Sequence, residues 1–152
     1  MFSGNETVYS GWCQTGNTPE YITGAPSVMM KRFAQDADHI FLACGATDFR
    51  KQISGLVTLV HAQFKLDPYK DSYVFIFCNK KKDAIKLLRY DKNGFILATK
   101  KLLDDMKFQW PRTPDEVKEI SFQQVEWLLQ GLEIEQKKAH HQVKMNIKNT
   151  CF

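Results

Sequence analysis

The sequence predicts a single α+β domain built on a small antiparallel sheet, and three observations predict it. Tyr73–Asn79 (YVFIFCN) is rich in aromatic and β-branched residues, as strands are, and two further strand-like runs follow at Ala84–Tyr90 and Gly94–Lys101. Asp91-Lys92-Asn93-Gly94 separates the last two, and Asn-Gly readily adopts the positive φ of a hairpin turn. Two segments of helical period, 52–64 and 121–131, stand on either side of this meander.

In chain order, residues 1–28 come first. They hold four of the eight glycines and two of the five prolines and show no period, so a disordered extension is expected. An edge strand around Glu20–Ile22 is the alternative. Met29 or Met30 would serve as the natural start of a domain spanning 29–135. His39–Gly45 (HIFLACG) is a short apolar run that reads as a buried strand beside the meander. A polar connection, 46–52, follows it, in which Thr47 or Asp48 is expected to cap the next helix. Ile53, Leu56, Val57, Val60 and Phe64 then recur on one helical face, and Leu66-Asp67-Pro68 ends that helix. Residues 102–116 read as turns. Ser121-Phe122-Gln123-Gln124 fits a capping box, with Ile120 and Val125 at the staple positions and Gly131 near the helix end. Residues 136–152 carry four lysines and no acid, and read as a flexible basic tail.

With 152 residues and 43% hydrophobic content, the chain can build one core. Its net charge of +4 says little by itself, but the charge is unevenly placed. Between Asn79 and Lys101 eight basic residues meet two acids, a local charge of +6; between Asp104 and Glu135 eight acids meet three bases, a local charge of −5. A basic sheet segment suits a polyanion, although solvated lysines on a strand edge produce the same pattern. Lys86 and Arg89 fall on opposite faces of one strand, so one of them must snorkel or lie at an edge. Tyr73, Phe75, Tyr90 and Phe95 are interleaved with the charge and could stack on bases or fill the core.

Cys44 and Cys78 lie in apolar runs and read as buried free thiols; no Cys or His spacing suits zinc. Free thiols point to a reducing cytoplasm. No apolar stretch reaches the roughly 18 residues of a membrane span, and no signal peptide is recognisable. Phosphate-binding glycine loops and nucleophile elbows are absent, so no catalytic residue, cofactor or metal is expected. His61 reads as a half-buried core residue, and His140-His141 as part of the tail.

Four segments carry a resemblance: IFLACGATDFRKQISGL (40–56), YVFIFCNKKKDAIKLLRYDKNGFILATKKL (73–102), FQWP (108–111) and ISFQQVEWLLQGLEIEQKKAH (120–140). Together they resemble the small TnpB-type accessory protein of bacterial insertion sequences that carry a separate DDE transposase. The RNA-guided nuclease of the same name is a different protein. The resemblance covers Met30 to His140 and implies a role beside the transposase, which itself cuts and joins the strands. It supplies no catalytic residues. It marks Thr47, Asp48, Arg50, Lys51 and Cys78–Asp83 as candidate functional surface. This chain has lysines at 80–82 where the family is associated with arginines, which keeps the charge but gives up planar bidentate recognition of phosphate.

Three functional readings stay open. A DNA-binding accessory would contact phosphates of the element ends through Arg50, Lys51, Lys80, Lys81, Lys82, Lys86, Arg89, Lys100 and Lys101. A protein adaptor would instead hold the transposase or the companion accessory protein through the acidic segment 115–135 or an aromatic patch. A metal-dependent nuclease would need converging carboxylates drawn from Asp48, Asp83, Asp91, Asp104 and Asp105.

Overall fold

The computed structural model describes residues 25–113, 116–138 and 140. The readings of residues 1–24, of His141 and of the remaining tail lie outside them. The elements are α1 (Ala25–Gln35), β1 (His39–Ala43), α2 (Ile53–Ala62), β2 (Tyr73–Cys78), β3 (Ala84–Asp91), β4 (Gly94–Lys101), β5 (Val117–Ile120) and α3 (Phe122–Leu129). They form one five-stranded sheet in the order β4-β3-β2-β1-β5.

The meander β2-β3-β4 is antiparallel with the expected strands. The sheet as a whole is mixed, which corrects the expectation of an antiparallel one: β1 runs parallel to β2, with His39 opposite Tyr73 and Leu42 opposite Ile76. The connection through α2 crosses one face of the sheet, as a parallel return requires. Both strands are buried along nearly their whole length, the pattern of strands covered on both faces. The short VKEI strand β5 pairs antiparallel with β1, just after the expected run of turns and at residues to which the sequence reading gave no strand.

Alternate residues of each strand serve opposite faces. On one face Ile40, Leu42, Val74, Ile76, Ile85 and Leu87 pack under α1 and α3, joined by Phe108 and Trp110. On the other, Phe41, Phe75, Phe77 and Leu88 meet Leu56 and Val60 of α2. Full burial of each such side chain is worth about 1.5–3 kcal/mol. Three helices therefore cover the sheet where two were expected; α1 begins at Ala25, within the segment read as an extension.

α3 starts as its sequence demands. Ser121 accepts from the Gln124 backbone N–H, and the Gln124 side chain accepts from the Ser121 N–H. Its end is equally specified. Leu132 N donates to Trp127 O and Gly131 N to Leu128 O, with Gly131 at φ 85°, where a glycine carries no Cβ penalty. α2 starts differently from expectation: Gln52 is its N-cap, with no side-chain capping bond. Thr47 and Asp48 lie too far upstream to reach its first turn. His61 is exposed on α2 and lies outside the core. Among the described residues, no helix is long and apolar enough to cross a membrane.

Candidate functional site

Parallel neighbours β1 and β2 end side by side, so the loops that leave them meet. The first is 44–52 and the second is the lysine turn 79–83. The lysine turn is built by Asn79. Its Oδ1 accepts from Asp83 N and Ala84 N at 3.1 Å each, and its Nδ2 donates to Asp83 Oδ1 at 2.6 Å. Lys82 takes φ 61°, a left-handed conformation uncommon for a side chain of its size.

Segment 108–111 then ties both loops down. Phe108 N donates to Lys82 O at 2.8 Å, and Gly45 N donates to Pro111 O at 3.0 Å. The Trp110 indole N–H donates to Ala43 O at 3.0 Å, and Thr47 N donates to Cys78 O at 2.8 Å. Phe108 and Trp110 are buried, so this apparent run of turns is a packed clamp.

Between the loops lies an open groove of about 720 Å³, lined by Arg50, Lys80, Lys81 and Lys101 together with Asp48 and Asp83. A neighbouring recess of about 190 Å³ shares Lys80 and adds Lys82, Trp110 and Arg112. The structure thus brings together Arg50, Lys80, Lys81, Lys82 and Lys101 from the candidate residues. Lys51 stands exposed at the foot of α2, where its stem lies against Gly55.

Three candidates fall elsewhere. Lys86 is only 5% exposed, and its Nζ donates to the carbonyls of Phe49 at 3.0 Å and Lys51 at 2.9 Å. It also lies over the Phe49 ring, 4.9 Å from the centroid. A lysine held this way is a strut under loop 49–51 and has no free ammonium for a phosphate, which corrects its place among the contact residues. Arg89 points to the opposite face, where Nη1 donates to Phe33 O in the last turn of α1. That carbonyl has no partner within the helix, and a cation there also suits the helix dipole. Lys100 pairs with Ile85 in register, so it too faces away from the groove, while Lys101, opposite Ala84, faces into it. The interleaved aromatics divide similarly. Phe75 is core; Tyr90 and Phe95 pack with Tyr69 beside the far hairpin.

One residue of the site, Arg112, was not among the sequence candidates, and Asn79 lay within the candidate run Cys78–Asp83 without its turn-building role being read. Asn79 shapes the turn, and its signal was visible: an Asn ahead of three lysines and an Asp is an Asx-type turn initiator. Arg112 had a weaker signal, a single cation after Trp-Pro.

The charges are organised. Asp48 accepts the Arg50 fork: Nε donates at 3.1 Å and Nη2 at 2.8 Å, and the Arg50 backbone N–H donates to the same carboxylate at 3.0 Å. These side-chain bonds, then the backbone bond, hold the Asp48 carboxyl down to about 2. Asp83 is also lowered, first by the Asn79 amide and then by Lys101 and Lys107. Burial pushes the Cys78 thiol up to about 12 and raises Cys44 as well, so neither free thiol is a nucleophile. Three acids elsewhere are paired within the chain: Glu126 with Lys31 at 3.0 Å, Glu135 with Lys118 at 2.8 Å, and Glu119 with His39 at 2.6 Å. Among the described residues, no three His, Cys, Asp or Glu side chains are grouped so as to hold a metal ion.

Comparison with known proteins covers most of the described chain. The family model for the IS66 Orf2 like protein matches residues 38–139. The uncharacterized protein y4jC of Sinorhizobium fredii (strain NBRC 101917 / NGR234) is 34% identical over 94 residues, covering 62% of this chain and 79% of that one. Protein y4hO of the same strain, also uncharacterized, is 32% identical over 94 residues, covering 62% of this chain and 80% of that one. No solved structure matches. The chain belongs to the IS66 Orf2-like family, small accessory proteins of insertion sequences.

Proposed function

We propose that this protein is a non-catalytic accessory of DNA transposition that grips the DNA backbone through the groove between loops 44–52 and 79–83. One observation carries the reading: Arg50, Lys80, Lys81 and Lys101 converge on a single groove from three separate parts of the chain. A clamp of main-chain hydrogen bonds fixes their spacing. Phosphate binding by the lysines among them releases counterions, so affinity falls steeply as salt rises. Family membership supplies the context, an element whose ends must be assembled with a transposase.

The test is a salt series on the full chain with a labelled duplex, beside Lys80→Gln/Lys81→Gln. Wild type should bind with a steep logarithmic salt slope, and the double variant should lose roughly 2 units of it, about 0.9 per phosphate contact removed. Absence of binding at low salt sinks the reading.

A second reading has its own observation. Leu103 and Met106, 69% and 52% exposed, stand on the connection from β4 to Phe108, two and five residues beyond the groove-lining Lys101. They suit an apolar contact with the transposase or the companion accessory protein. Co-purification that survives nuclease treatment and is lost in Leu103→Glu/Met106→Glu would support it.

A further inference from the structure

Arg50 is set apart from the other cations of the groove by the way it is held. Its side chain is 91% exposed, yet Nε and Nη2 are both bonded to Asp48, whose side chain is 41% exposed. The same carboxylate accepts the Arg50 backbone N–H, so stem and fork are fixed from one point. A pair this exposed contributes little to folding stability. What it does is orient a guanidinium. The Nε–Nη2 edge is occupied, and the Nη1–Nη2 edge is left free to donate two parallel hydrogen bonds to a planar partner.

Charge decides which planar partner fits. A phosphate or carboxylate placed on the free edge would sit close to the Asp48 carboxylate, which stays ionised, and be repelled by it. A neutral group with two adjacent acceptors has no such penalty. In duplex DNA that group is guanine, whose O6 and N7 face the major groove and take Arg in a bidentate contact. Among the described residues, Lys80, Lys81 and Lys101 line the same groove without an ion pair of their own, and they suit phosphates flanking that base.

We infer that Arg50, buttressed by Asp48, reads the major-groove edge of a guanine while the neighbouring lysines hold the backbone. This rests on the DNA-binding reading above and adds base specificity to it. Preorganising the fork lowers the entropy lost on contact, and it makes Arg50 a specificity residue distinct from the position-setting lysines.

The test uses the full chain and a pool of duplexes with a randomised core, selected by wild type, Arg50→Ala and Asp48→Asn in parallel. Wild type should enrich a guanine at one fixed position. Replacing that guanine by 7-deazaguanine, which lacks the N7 acceptor, should weaken wild type roughly 10- to 100-fold and leave Arg50→Ala unchanged. Asp48→Asn should bind every duplex more tightly, because a negative charge is gone, and yet lose most of its guanine preference. The inference is overturned if wild type binds but selects no guanine. It is also overturned if Arg50→Ala weakens all duplexes equally with a salt slope smaller by about 1, the behaviour of a phosphate contact. If wild type binds no duplex at low salt, the DNA-binding reading and this inference fall together, an outcome distinct from binding without base preference.

Discussion

The turn from Asn79 to Ala84 and the turn from Asp91 to Gly94 each join neighbouring antiparallel strands, and each holds a lysine at positive φ, Lys82 at 61° and Lys92 at 53°. They differ in what surrounds them. The first is closed by the Asn79 side chain and then bonded from outside, by Phe108 N to Lys82 O and by Leu102 N to Asp83 O. The second has a main-chain bond from Asn93 to Asp91, a Tyr90 hydroxyl on Lys92 O and a long 3.4 Å contact from Lys92 N to Asp71. Strain at the two lysines is of the same order, about 1–2 kcal/mol. The first is bonded from outside at two main-chain atoms and faces the groove, while the second meets the long Lys92–Asp71 contact and the packing of Tyr90 and Phe95 on Tyr69. Lysines in a turn take a fixed direction when something else in the fold supplies it.

Removing the clamp breaks this contrast most severely. Phe108→Ala should cost about 3–5 kcal/mol in urea unfolding, and amide exchange across 79–84 should quicken toward that of 91–94. An unchanged exchange pattern would mean that the lysine turn does not depend on segment 108–111. Next in size, Asn79→Ala removes three hydrogen bonds and should cost about 2–3 kcal/mol, whereas Asn93→Ala should cost less than about 0.5 kcal/mol. Equal losses would erase the distinction between the turns.

Smaller again, Lys82→Gly and Lys92→Gly each relieve a left-handed lysine at the cost of added chain entropy, so each should stabilise by less than about 1 kcal/mol. Duplex binding should fall for Lys82→Gly alone. The least effect on stability belongs to acid pH. A carboxyl lowered by folding contributes stability that is fully present above its ordinary value near ~3.9. For Asp48 that contribution is lost as pH falls from there through about 2. Carboxyl NMR should show Asp48 titrating at about 2 in wild type. In Arg50→Ala the midpoint should move up toward ~3.9.

Local signals were legible and distant ones were not. The three strands of the meander, α2, and the capping box at Ser121 followed from runs, periods and turn residues within a few positions of each other. The parallel alignment of β1 and β2 did not, because nothing in HIFLA names its neighbour; only the lack of polar alternation hinted at burial on both faces. Met30, Phe33, Ala34 and Ala37 repeat at helical spacing around α1, but two alanines make a faint stripe. VKEI is too short and too charged to stand out as a strand. In the site, clustered lysines were visible as a charge run, and the opposite orientation of Lys86 and Arg89 followed from strand alternation. That Lys86 ends on two main-chain carbonyls depends on where loop 49–51 lies in space, which no local pattern encodes.

The distance in sequence between β1 and β5 has a consequence for synthesis. The meander and its lysines emerge from the ribosome before the clamp at 108–111, and β5, which closes the other side of β1, emerges later still. A nascent chain halted before Phe108 carries Arg50, Lys80, Lys81 and Lys101 but lacks the bonds from segment 108–111 that tie the two loops down. Rigid presentation arrives only with the last part of the sheet, so a truncated product keeps the charge of the finished protein and lacks its geometry.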